Sequence, residues 1–422
     1  MKILVIGSGG REHALAWKLS QDSSRPEIFS VPGNAGTAMH GTNVGISGES
    51  IREILEWAKE NRPDLTIVGP EAPLCAGISD LFAEHGLSVF GPSGDGARIE
   101  GSKVYAKEFM KAAGVPTADF RVFDDASRAM DYIRSKGAPI VVKADGLAAG
   151  KGVFVCKSLQ EAEQALDATM IRKEFGSAGE RVVVEDCLTG SEASVLALVD
   201  GRNYTILDSS QDHKRAYDHD KGPNTGGMGA YSPTPVISKD MWPVIRAEIF
   251  ENTLAEFDKR NIKYRGVLYA GLILNEAGVN VLEFNCRFGD PETQVVIPGI
   301  DGDLFPVLEA CANGTLSRHL LKWKNDHRVC VVLASGGYPG TYDKGKEIRG
   351  LQETDKMDNV FVFHAGTKSD HDKVVTAGGR VLGVTASGAD LRKAVDLAYR
   401  AVGKLDFDRM HYRTDIAKKA LD

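Results

Sequence analysis

No run of this chain stays apolar over the roughly 20 residues a helix needs to cross a bilayer. No charged-then-apolar leader precedes the short apolar strand at residues 2–6. Cysteine is sparse. Cys75, Cys156, Cys187, Cys286, Cys311 and Cys330 stand singly with no CxxC spacing, which excludes a disulfide framework and zinc ribbons and leaves buried free thiols. A cytoplasmic, reducing setting is expected. Positive charge is in deficit: the formal net charge is -7 and no long basic run occurs, so nonspecific nucleic-acid and anionic-membrane partners are excluded. Internal repeats are absent too, since the 46 glycines gather in loops and follow no period. What remains is an ordinary globular composition in 422 residues, enough for two or three domains each with its own core.

Taken in order, residues 2–6 form a strand that runs into Gly7-Ser-Gly-Gly-Arg-Glu-His13 and then a helical pattern. A glycine turn opening a helix is a ready anion site. Glu12 stands where a dinucleotide fingerprint has its third glycine, and no acidic residue follows the second strand, so NAD is disfavoured. Ser50-Ile-Arg-Glu53 reads as a capping box. The strand at 65–68 ends in Gly69-Pro-Glu71, and alternating strands and helices to residue 93 predict a parallel sheet with its ligand edge at the strand carboxyl ends. Beyond Gly101, the strand at 139–143 delivers Lys143 into the loop Ala144-Asp-Gly-Leu-Ala-Ala-Gly-Lys-Gly152, and a second strand follows. Such a hairpin flap can close bare N–H groups on phosphates, and it is not a P-loop because no helix opens with Gly-Lys-Ser/Thr. Residues 208–233 carry almost no apolar side chains, and a structureless stretch of that length is expected to be an ordered site wall. His213 and His219 have no third soft ligand nearby, so zinc is not expected. From about residue 325 a small α+β domain follows, which packs against the others and completes a pocket.

The stretch Val281-Leu-Glu-Phe-Asn-Cys-Arg-Phe-Gly-Asp-Pro-Glu292 ties these together. In a strand, residues i and i+2 share a face, so Glu283 and Asn285 point together while Leu282, Phe284 and Cys286 fill the other side. A carboxylate and an amide oxygen side by side suit Mg²⁺ shared with nucleotide phosphates. Arg287 adds a cation next to them. Read alone, the same pattern also fits a solvated strand edge.

Together the segments Gly7 to His13, Lys143 to Gly152, Gln211-Asp-His-Lys-Arg215 with Gly222-Pro-Asn-Thr-Gly-Gly-Met-Gly-Ala-Tyr231, and Glu283 to Glu292 resemble the ATP-grasp ligases, and among them the glycinamide ribonucleotide synthetase family, over essentially the whole chain. The resemblance implies an α/β and α+β multidomain fold: a pre-ATP-grasp parallel-sheet domain at 1–101, a two-lobed ATP-grasp unit at 102–325 with a flap lobe at about 120–190, and a C-terminal α+β domain at 326–422. It implies ATP as substrate, with Lys103 and Lys143 on phosphates, Gly150, Lys151 and Gly152 in the phosphate loop, Glu185, Asp186, Cys187 and Leu188 as the adenine hinge, and Glu192 on the ribose. Glu283 and Asn285 match ligands of Mg²⁺ or Mn²⁺, and Arg287 the cation over the transferred phosphate.

The implied reaction joins glycine to 5-phosphoribosylamine through glycyl phosphate, with loss of ADP and phosphate, in de novo purine (IMP) biosynthesis. On that reading Asp212 and Asp290 flank the glycine ammonium and the sugar amine, while Gly226 and Gly227 donate N–H groups to the acyl group. The Gly7, Gly9, Gly10 turn takes the 5-phosphate; Glu71, at the sheet's ligand edge, fits a sugar hydroxyl and equally an N-cap or turn role. Lys214, Asn224 and Pro291 complete the substrate residues. A monomer is expected, with transient contact to the enzyme that supplies the unstable sugar amine. The rival readings are another ATP-grasp ligase or carboxylase, against which no biotin-attachment motif appears, a dinucleotide-dependent oxidoreductase, and a noncatalytic nucleotide-binding regulator.

Overall fold

The computed structural model describes residues 1–147, 152–316 and 321–421. The expected phosphate-loop residues Gly150 and Lys151 lie outside these, while Gly152 is described. Strands Lys2–Gly7, Glu27–Pro32, Thr42–Asn43, Leu65–Val68 and Val89–Phe90 form a parallel sheet with Lys2–Gly7 at its centre. Ile3 to Ile6 are fully buried, which is why this strand reads as continuously apolar, as strands covered on both faces do. Its carboxyl edge carries the Gly7–Gly10 turn and, one strand over, Gly69 and Glu71. The expected capping box at Ser50 does not form: its side chain accepts no bond from the helix Ile51–Asn61. Ser158, by contrast, accepts the Glu161 N–H.

The flap lobe is a four-stranded antiparallel sheet ordered Phe120–Phe123, Val182–Asp186, Ile140–Ala144, Val153–Cys156. Ile140, Val142, Val182 and Val184 pack with Ala129, Ile133 and Ala162 of the helices Ala126–Lys136 and Leu159–Leu166. Period-two alternation therefore sends Lys143 and Glu185 to the opposite face. Facing that lobe is a second antiparallel sheet, Tyr204–Ile206, Ser191–Asp200, Arg265–Asn275 and Gly278–Asn285.

Residues 208–233 are more regular than their composition implied. Gln211–Asp212 and Gly229–Ser232 pair with each other and join His327–Ala334, Arg380–Gly388 and Val360–His364 in a five-stranded sheet, whose strands come from both sides of residue 326. Between them Arg215–Tyr217 and Lys221–Asn224 form a hairpin. Buried Arg413 holds that hairpin, donating to the Arg215 carbonyl (3.1 Å) and the Asp220 carboxylate (2.8 Å) while paired with Asp415 (2.7 Å). No helix among the described residues is long and apolar enough to cross a membrane.

The parallel-sheet domain and the C-terminal strands meet at histidines. His13 is 3% exposed, and its Nδ1 accepts the His364 backbone N–H at 2.7 Å, so the ring is held neutral. Burial, then the nearby His364 and His40, hold the His13 pKa well below its ordinary value. Burial, then His40, lowers His364 to about 4. His213 falls to about 3 through burial, then Lys419 and Arg413. The unfolded chain takes up these protons near 6.5 and the native chain does not, so U binds more protons than N below that pH. Stability should fall as pH drops from about 6.5 towards 4, by up to about 1.4 kcal/mol per pH unit for each histidine. Denaturant melts across this range check it; the slope should flatten in His364→Asn, and a flat wild-type profile would contradict the assignment.

Candidate active site

The strand Gly278–Asn285 is interrupted near its end. Val281 lies opposite Leu272 and Glu283 opposite Gly271, so Leu282 is an extra, unpaired residue. Val279, Val281 and then Phe284 face the core, and the bulge brings Glu283 and Asn285 together on the cleft side. Leu282 is thus not a core residue as its alternation implied; it is partly exposed. The Glu283 side chain makes no hydrogen bond or ion pair among the described residues, although its charge reaches Lys107 and Lys214. A carboxylate left without a partner beside an amide oxygen fits a divalent cation. No group of three or more His, Cys, Asp or Glu side chains among the described residues is arranged to hold a metal.

Arg287 is fixed from three sides. Its Nη2 donates to Glu100 Oε1 (2.7 Å) and to Asn285 Oδ1 (3.2 Å), and its Nε to Glu71 Oε2 (3.2 Å). Glu71 therefore engages Arg287 where a sugar hydroxyl was expected. Burial opposes the ionisation of Glu71, but Arg287 and then Arg11 hold its pKa below the ordinary value. Glu100, from the helix Gly94–Gly101, also accepts the Cys286 N–H at 2.7 Å, and burial raises its pKa against the pull of Arg287.

Across the cleft, Lys214 pairs with Glu192 (2.5 Å) and Asp212 (3.3 Å). Burial works against the charge on Lys214, yet Asp212 and then Glu192 outweigh it and raise the pKa well above normal. Burial, then the Asp212 charge, raises the pKa of Glu292, whose Oε1 accepts the Tyr269 hydroxyl at 2.7 Å. In the hinge, Asp186 turns outward to Lys136 (2.9 Å) and Cys187 is half-buried. The Glu185 carboxylate faces inward and is shared by Lys143 (2.9 Å) and Lys107 (2.9 Å). Lys103 reaches the Gly146 carbonyl at the entry to the flap loop (3.0 Å).

A cavity of about 420 Å³ opens where the three parts of the chain meet, within the size range of small-molecule sites. Ser8, Gly9, Asn34, Asp290, Gly366 and Arg380 line it. Gly7 and Gly10 do not: a side chain at Gly7 would meet Glu12, and one at Gly10 would meet Gln294. The Glu12 carboxylate itself accepts the Gly9 N–H at 2.6 Å, so a side chain occupies the helix N-terminus where phosphate was expected. Arg380 donates to the carbonyls of Asp290 (2.7 Å) and Gly226 (2.5 Å). Burial disfavours the Asp290 carboxylate, but Arg380 and then Arg11 hold its pKa below the ordinary value.

The proposed acyl donors are already engaged, the Gly226 N–H by the Tyr338 hydroxyl (3.1 Å) and the Gly227 N–H by Thr225 Oγ1 (3.0 Å). Gly227 lies flat on Pro291, where a Cβ would come within 2.4 Å of the ring. Asn224 ends the hairpin opposite Arg215. Sequence reasoning missed Asn34, Glu100, Lys107, Tyr338 and Arg380; only the glycines beside Arg380 offered a signal, and a weak one.

A parallel sheet edge, a flap sheet and a facing sheet that enclose lysines, a shared glutamate and a neighbouring carboxylate and amide define an ATP-grasp protein. The biotin carboxylase domain of the Hydrogenobacter thermophilus 2-oxoglutarate carboxylase has this fold, with a TM-score of 0.76 at 16% identity over 97% of this chain and 91% of that one. The phosphoribosylglycinamide synthetase models match the N domain at residues 1–100, the ATP-grasp (A) domain at 101–293 and the C domain at 328–419, and the chain belongs to that family. It is 46% identical over 417 residues to the phosphoribosylamine–glycine ligase of Caldanaerobacter subterraneus, covering 99% of each. The crystal structure of the Thermotoga maritima phosphoribosylamine–glycine ligase superposes with a TM-score of 0.86 at 35% identity, over 98% of this chain and 100% of that one.

Proposed function

We propose that the chain joins glycine to 5-phosphoribosylamine at the expense of ATP, releasing ADP and phosphate, as a step of purine biosynthesis. The observation that carries the reading is the Glu283 carboxylate, without a partner among the described residues, beside Asn285, set between the two sheets and within electrostatic reach of Lys107 and Lys214. A carboxylate is a poor acyl donor and must be activated. An oxygen of the glycine carboxylate attacks the γ-phosphorus and ADP leaves; the sugar amine then attacks the acyl carbon and inorganic phosphate leaves. Such a sequence needs positioning and charge neutralisation, and no covalent protein nucleophile.

Glu283 and Asn285 would hold a divalent cation, Mg²⁺ or Mn²⁺, which neutralises charge on the β- and γ-phosphates when bound. Arg287, locked by Glu71 and Glu100, presents a fixed cation beside the transferred group. Asp212 accepts from the glycine ammonium. Asp290, kept ionised by Arg380, accepts a hydrogen bond from the sugar amine and so aims its lone pair. The sugar phosphate lies in the cavity beside Arg380 and Gly366, away from Glu12. Gly226 and Gly227 hold Arg380 in place.

Incubation with ATP, glycine and freshly generated phosphoribosylamine should release ADP only when all three are present. ADP release that needs no amine would overturn the proposal. Arg380→Met should raise the KM for phosphoribosylamine about tenfold or more, as the loss of charge-assisted bonds of roughly 1.5–3 kcal/mol implies, with the KM for ATP little changed. Equal shifts in both constants would contradict the placement.

A further inference from the structure

Lys107 lies on the helix Lys103–Ala113, one turn beyond Lys103, and is 2% exposed. Its ammonium pairs with Glu185 Oε2 at 2.9 Å and donates to Thr117 Oγ1 at 2.6 Å. Thr117 Oγ1 in turn donates to the Val281 carbonyl at 2.7 Å. Lys143 takes the other carboxylate oxygen, Glu185 Oε1, at 2.9 Å and donates to the Leu282 carbonyl at 3.1 Å. Both carbonyls belong to the bulge that precedes Glu283. Two buried ammoniums thus share one buried carboxylate, a costly arrangement in a dry site unless an anion joins it.

Resting on the nucleotide reading above, we infer that Lys107 is a positioning residue for the triphosphate: by occupying half of Glu185 it keeps Lys143 from being neutralised, and so leaves the Lys143 charge for phosphate. Two ammoniums against one carboxylate leave one positive charge over. Without Lys107 none is left, and Lys143 closes into a neutral pair with Glu185. Removing the Glu185 charge as well restores the single positive charge. A purely structural lysine predicts the opposite pattern, in which the second substitution adds further damage.

The test is calorimetric titration of ATP, with Mg²⁺ present, into the full chain and two variants. K107M should bind at least about tenfold more weakly than wild type, the loss expected when one charge-assisted contact goes. K107M/E185Q should bind more tightly than K107M, recovering part of the lost affinity. In turnover, K107M should raise the KM for ATP far more than it lowers kcat. K107Q replaces K107M if circular dichroism shows that the latter does not fold. A wild type that binds no ATP overturns the proposed function. A wild type that binds, with K107M binding equally well or the double variant binding worse than K107M, overturns this inference alone.

Discussion

Glu283→Gln should lower turnover about 10³-fold at saturating substrates, the scale seen when one preorganised charge-stabilising group is removed. Glutamine keeps the shape of the side chain and an oxygen, and removes only the charge. The carboxylate has no hydrogen bond or ion pair among the described residues, so the substitution breaks no contact and the unfolding midpoint should stay unchanged or rise slightly. The dependence on Mg²⁺ should move to higher concentration, because the one charged oxygen donor is lost and two neutral amide oxygens bind a hard cation weakly. Near-normal turnover at saturating Mg²⁺ would remove Glu283 from the mechanism.

Arg287→Met should abolish ligation and destabilise the chain together. The guanidinium is the partner of Glu100, whose side chain is 8% exposed, and of Glu71. Breaking a buried pair by removing one member costs roughly 3–5 kcal/mol, because the other charge stays behind. Burial already raises the Glu100 pKa, and without Arg287 it should rise further. A carboxyl whose folded pKa exceeds its unfolded one binds more protons in N, so its contribution is retained at low pH and lost as pH rises through the folded value. The stability difference between R287M and wild type should therefore shrink on acidification from pH 8 to 5.5. Arg287→Lys keeps the charge and should regain much of the stability, but not the activity, since an ammonium cannot span Glu71, Glu100 and Asn285 at once. A pH-independent stability difference in R287M would contradict the role given to Glu100.

The parts legible in the sequence are those set by local periodicity. The apolar run before Lys143 gave the flap strand, the alternation around Phe284 placed Glu283 and Asn285 on one face, and the unbroken apolar strand at residues 3–6 gave the parallel sheet. The bulge at Leu282 was not legible, because an extra residue in one strand is defined only by its partner strand. Nor was the burial of Lys107. A lysine one helical turn beyond Lys103 reads as part of a solvated face until Glu185 arrives from the flap sheet.

Glu12 was read only as a departure from a glycine pattern, whereas its carboxylate closes the turn by accepting the Gly9 N–H. The polar stretch at 208–233 hid its strands because short edge segments such as Gln211–Asp212 take their register from Tyr231 and Ala230, not from their own composition. Arg380 and Asn34 reach the cavity from separate domains, so no spacing in the chain announces them.

Glycine labelled with ¹⁸O in both carboxylate oxygens, turned over with ATP and phosphoribosylamine, tests the activation step directly. If the carboxylate takes the γ-phosphoryl group before the bound amine attacks, one labelled oxygen per turnover leaves in inorganic phosphate and the other stays in the amide. Phosphate free of label would show that the carboxylate never carried the phosphoryl group, and the role given to this cleft would fall.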